Sequence, residues 1–154
     1  MRLKSCCVPA ALLLLVAVGI LYKFLWQGEV APASDGRTAI LMPQDERDLV
    51  LGEMRQFLQS VQVILSAVNT EDTQGIVDAA RAVGAAQQGA MPGTLVKRLP
   101  GGFKKLGFDT HRRFDQLALD AEQLGDPEHS LQQLAELMAN CVSCHASYRI
   151  DLIE

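Results

Sequence analysis

The chain is poor in aromatic residues, at 5%, and in charged ones, at 21%. It has four cysteines, and two of them, Cys6 and Cys7, sit close to the start. That is too few for a disulfide-stapled scaffold. Positive charge is also short. Setting aside Arg2, Lys4, Lys23 and Glu29 in the first 33 residues reduces 14 basic and 18 acidic residues to 11 and 17, a net charge of −6. Nucleic acid is a poor partner for a domain without a basic footprint. No stretch reads convincingly as a strand. No Ser/His/Asp set, paired carboxylate site or phosphate loop stands out, so nothing marks an enzyme. What the 154-residue chain does have is apolar residues, 49% of the total. A domain of about 120 residues can bury a sizeable core alone.

The first segment differs from the rest. Arg2 and Lys4 precede an apolar stretch from Cys6 to about Trp26, with Tyr22, Phe24 and Trp26 at its far end. Basic residues before a leucine-rich run mark an export signal. About 20 apolar residues suffice for one bilayer crossing, and aromatics gather at the interface. Ala31-Pro32-Ala33 offers the small residues of a cleavage site, but it lies well beyond the strongly apolar part and carries a proline. The expectation is a signal-anchor or signal peptide over 1–28. It would leave the domain on the periplasmic side of a bacterial membrane, anchored or, if cleaved, soluble. Cys6 and Cys7 would fall at the cytoplasmic edge, without a role.

Residues 29–43, with Pro32, Gly36 and Pro43, read as a linker. Four helical stretches follow over 44–154. The first, about 44–68, places Val50, Met54, Phe57, Val61, Ile64 and Val68 on one face by steps of four and three. The second, about 71–88, follows the capping cluster Asn69 to Asp72. A glycine- and proline-rich connection over 89–108 leads to a third helix at about 110–124. Gly125-Asp126-Pro127 stops that helix and starts a fourth, about 127–150, with Leu134, Met138, Cys141 and His145 on its stripe. The predicted fold is all-α, an antiparallel four-helix bundle behind an N-terminal transmembrane or signal helix.

Residues 141–145 read Cys-Val-Ser-Cys-His, the attachment signature of c-type haem. On a helix the two sulfurs, three residues apart, can reach both vinyl groups of one porphyrin. His145 lies on the face of Cys141 and can offer an imidazole nitrogen to the iron. A thioredoxin-like pair would need a βαβ setting. Zinc would need about four ligands, and only His111 and His129 remain, both expected to be exposed.

With its continuation Ala-Ser-Tyr148-Arg149, near the end of an all-helical domain, this motif resembles the cytochrome c-prime family. Most c-type cytochromes carry the motif near the N-terminus. The resemblance covers about residues 44–152 and is strong only in the last 15. It implies a bundle whose fourth helix holds one covalent haem c through Cys141 and Cys144. His145 would be the proximal iron ligand, with Arg149 against the proximal face. It further implies that the first helix covers the distal face. Members with an apolar residue there leave the iron five-coordinate and bind nitric oxide or carbon monoxide. Members with a methionine there are low-spin electron carriers.

Met54 occupies the matching part of the first helix. It either ligates the iron or packs beside the haem as a soft filler. Met42 lies too early, Met91 lies in the connection, and Met138 shares the motif's own helix. Where many members carry an arginine one turn before the distal residue, this chain has Val50; Arg47 or Arg55 could serve a propionate instead, or be solvated. Tyr148 is expected on the haem edge. Lys97, Arg98, Lys104, Lys105, Arg112 and Arg113 form either a docking patch for acidic redox partner proteins or a solvated surface. A homodimer through the first two helices is allowed. The leading expectation is one-electron transfer with His145 and Met54 as iron ligands. The alternative is a haem protein for gas scavenging or sensing.

Overall fold

The computed structural model describes residues 4–153, and all their side chains except those of residues 4–7, 24, 25, 88 and 90. Arg2 and the side chains of Lys4, Cys6 and Cys7 lie outside that set. The fold is predominantly helical, with one small sheet. Helix α1 (Lys4–Tyr22) leads into a π-helical turn (Lys23–Gln27). Leu12 to Leu15 on α1 are 64–70% exposed, and the helix packs chiefly on the turn that follows it. Among the described residues no helix is long and apolar enough to cross a membrane, so the expected bilayer crossing draws no support from the fold.

The segment expected to be a linker is structured. Strands β1 (Val30–Pro32) and β2 (Thr38–Met42) form an antiparallel hairpin. Strand β3 (Tyr148–Leu152) joins β2 in parallel, with Thr38 opposite Tyr148 and Met42 opposite Leu152. Sequence reading finds no strand here because the pieces are three to five residues long. Two of them come from opposite ends of the chain, so their pairing leaves no local period.

Helix α2 (Gln44–Asn69) starts after Pro43, with Asp45 and Glu46 in its first turn, where the helix dipole favours acids. Helix α3 (Thr73–Arg81) is capped by Asp72, whose carboxylate accepts the Gly75 N–H at 3.0 Å. It stops earlier than expected. Gly84 lies against Asp115, whose Oδ2 accepts the Ala85 N–H at 2.9 Å, and a 3-10 turn (Ala85–Ala90) follows. After the short α4 (Gly93–Arg98), helix α5 runs Gly101–Leu124. It begins nine residues before the expected 110, because its early glycines permit close approach rather than ending the helix. A Cβ on Gly101 would lie 3.0 Å from the Trp26 ring, and one on Gly102 would meet the Tyr148 hydroxyl. Gly125, left-handed at φ 61°, ends α5. Asp126 then caps α6 (Pro127–Ser147) by accepting the Glu128 and His129 N–H groups.

Helices α2, α3, α5 and α6 pack in a ring. Phe57, Ile64, Ile76, Val77, Phe114, Leu117, Leu134 and Leu137 fill its centre. A second cluster, of Ile40, Met42, Val50, Leu95 and Leu99, joins the sheet to α4. Met54 packs against both clusters. The two clusters part beside it, and the open space between them holds the site.

Candidate haem site

A cavity of about 580 Å³ opens between α2, α4, α5 and the last turns of α6. That is within the roughly 300–1,000 Å³ common for small-molecule and cofactor sites. Its wall is almost wholly apolar. Cys141, Cys144 and His145 line it from α6, and Met54 lines it from α2. The fold thus brings four of the five residues singled out by sequence to one cavity. Met138, on the stripe expected to be core, is 39% exposed, and it too faces this space.

The fifth residue lies elsewhere. Because α6 ends at Ser147, Arg149 belongs to β3 and not to the next helical turn above His145. Its Nε donates to Asp151 at 2.8 Å, one Nη lies 3.4 Å from Asp35, and it is not among the cavity's lining residues. Tyr148 stands behind the wall. It meets Phe103 edge-on at 5.6 Å, and Phe103 lines the cavity in its place. Met42 is buried in the second cluster, whereas Met91 reaches the wall. Of the two arginines near Met54, Arg55 lines the cavity and Arg47 does not.

Both thiols are free. Burial raises the Cys141 pKa and pushes that of Cys144 up to about 11, the neighbouring Cys141 adding to it. Thiol–disulfide exchange favours the opposite arrangement, a thiolate stabilised at a helix N-terminus or beside a cation. These cysteines sit near the C-terminal end of their helix.

His111 overturns an expectation. It is 2% exposed and lines the cavity. Its Nδ1 lies 2.8 Å from the Val83 carbonyl oxygen, and its Nε2 lies 3.1 Å from Glu53 Oε1. Phe57 covers the ring at 4.8 Å. Burial alone would lower its pKa; the hydrogen bonds to Glu53 and Val83 and the Glu53 charge outweigh this and raise it. A signal was present in the sequence: 111, 114, 118 and 121 fall on one helical face, and the last three are core. His129, also expected to be exposed, is partly covered and lies 3.9 Å from Asp120.

The basic cluster is partly neutralised from within. Asp109 takes ion pairs from Arg112 and Arg113 and a hydrogen bond from Asn140. These hold its carboxyl at about 2, the Asn140 bond foremost. Arg98 turns inward, its Nε 2.9 Å from the buried Glu46, although the N–H does not point along that line.

No protein-family model matches the chain, and neither does a curated protein or a solved structure.

Proposed function

We propose that this chain is an exported c-type cytochrome whose helix α6 holds one haem covalently through Cys141 and Cys144, with His145 as proximal iron ligand, and that it transfers single electrons. One observation carries the reading. The two thiols and the imidazole residue of the attachment signature share an apolar cavity of about 580 Å³ with a methionine on another helix. The donor set suits the group: two thiols for thioethers, an imidazole for the iron, and a low-polarity wall for the macrocycle. When bound, the haem would supply an iron that cycles between two oxidation states.

The remaining work falls to the protein. The apolar wall excludes water and so governs the reduction potential. Met54, as sixth ligand, would raise that potential. Arg55 on the wall is available to a propionate, which favours it over Arg47. Lys97 and Lys105, both exposed, offer positive charge to an acidic redox partner. The N-terminal segment would serve as the export signal that takes the domain across the membrane. The four-helix ring is, on this reading, the antiparallel bundle of the cytochrome c-prime family with a sheet added.

A second reading has its own support. Phe57, Leu58 and Val61 share the α2 wall with Met54, and Met54 already packs on both core clusters. Were it a filler, an apolar distal side would leave the iron open to nitric oxide or carbon monoxide.

One experiment decides. The full chain, produced with haem-maturation factors, is expected to gain the mass of one haem. It should show a low-spin reduced spectrum that carbon monoxide does not change. Met54→Leu should make the haem high-spin and open to carbon monoxide. Ready carbon monoxide binding by the unaltered protein supports the gas-binding reading. A colourless protein with two free thiols overturns both.

A further inference from the structure

We propose that Arg37, in the hairpin ahead of the bundle, is a positioning residue for His145, holding the backbone that carries the iron ligand without touching the iron. The inference rests on His145 ligation as proposed above.

The last carbonyls of a helix have no partner inside it. At the end of α6, one Nη of Arg37 donates to the carbonyl oxygens of His145 and Tyr148, at 3.3 Å each. The rest of the same guanidinium is held from the other side: Nε and the second Nη donate to Asp35 Oδ2 at 3.0 and 2.7 Å. The Arg37 backbone N–H donates to Asp35 Oδ1 at 3.1 Å. Arg149 adds a contact to the same carboxylate at 3.4 Å. The fork is therefore oriented before it meets the helix. One residue further on, the chain enters β2, whose first parallel partner is Tyr148.

An arginine that merely closes a hairpin would satisfy Asp35 and point outward. Here it spans 108 residues of sequence to reach the carbonyl of the haem motif's own histidine. A lysine could supply the charge but not a planar fork bonded on two sides. The positive charge also suits a helix C-terminus. Its removal would leave the Asp35 carboxylate without its main counter-charge beside the helix end that carries His145, and net negative charge there would favour the oxidised state of a bound haem.

The test uses the full, haem-loaded chain with Arg37→Gln, Arg37→Lys and Asp35→Asn. Three quantities are read: the reduction midpoint, the paramagnetic NMR shifts of the His145 ring, and amide exchange over residues 145–150. Arg37→Gln should lower the midpoint, displace the ring shifts and speed exchange roughly tenfold or more, as loss of charge-assisted bonds implies. Arg37→Lys should recover most of the midpoint but not the ring shifts. Asp35→Asn, which leaves the arginine in place with a weaker brace, should displace the shifts less. Unchanged ring shifts in Arg37→Gln, or full recovery by Arg37→Lys, would overturn the proposal. If the unaltered protein carries no haem, the cytochrome reading fails by itself. The clamp on α6 is then read from exchange alone, and equal rates in the unaltered protein and Arg37→Gln would end it.

Discussion

An imidazole set against a carboxylate inside an apolar wall loses hydration on both partners, and His111 offsets that loss through both ring nitrogens. With Nδ1–H donating to Val83, Nε2 can donate to Glu53 only as imidazolium, which agrees with its raised pKa. A raised folded-state pKa contributes stability that is complete below the unfolded value, about 6.5. That stability is lost as pH rises through the folded value. Melting temperature should therefore fall as pH rises above about 6.5, and the fall should flatten in His111→Gln. An equal slope in both proteins would mean that the pair carries no proton-linked stability. At this scale the sequence spacing put Cys141 and His145 on one helix face, and the structure lines one cavity with Cys141, Cys144 and His145. It was silent on Glu53, because only the approach of α5 to α2 gives that residue its partner.

At the scale of the element, helix faces and caps follow local rules, and the glycines divide by what surrounds them. Gly125 and Gly28 both have positive φ, at 61° and 70°. Among the described residues nothing lies within 4 Å of a Cβ on Gly125, whereas one on Gly28 would overlap the Arg98 carbonyl oxygen and stand 2.7 Å from the Pro100 nitrogen. Gly125→Ala should thus cost only the left-handed penalty, about 1–2 kcal/mol. Gly28, at φ 70° and ψ −168°, lies in a region nearly confined to glycine, so Gly28→Ala should cost more, because backbone must also move and the turn at Trp26 must lift from the start of α5. Denaturant titration of the two variants checks the order; equal losses would show that the Gly28 approach is not tight. By local rules the glycines of 101–107 are breakers. Gly101 and Gly102 are instead suited to the helix start by Trp26 and Tyr148 lying above them, which no local pattern records.

For the whole molecule, the hairpin makes the N-terminal region part of the domain. Ala31 and Pro32 lie in β1, paired with Ala39 and Thr38, and Glu29 bonds both the Arg98 carbonyl and the Leu41 N–H. Cleavage after Ala33 would remove β1 and the Trp26 contact. On the proposal that the chain is exported, the mature protein is expected to retain residues 26–33, as intact mass would show. A mature chain beginning at Ser34 and melting at an unchanged temperature would make the hairpin dispensable. Periodicity, caps and the Cys-x-x-Cys-His spacing, all interactions within a few residues, determined the four bundle helices in outline, their order and the side chains that α6 carries. Contacts between distant segments decided the rest: a cavity shared by α2, α5 and α6, the burial of His111, the departure of Arg149 from that cavity, and the sheet that ties the two ends of the domain together. Those pairings join residues up to more than a hundred positions apart, and their energy exists only once the chain has closed.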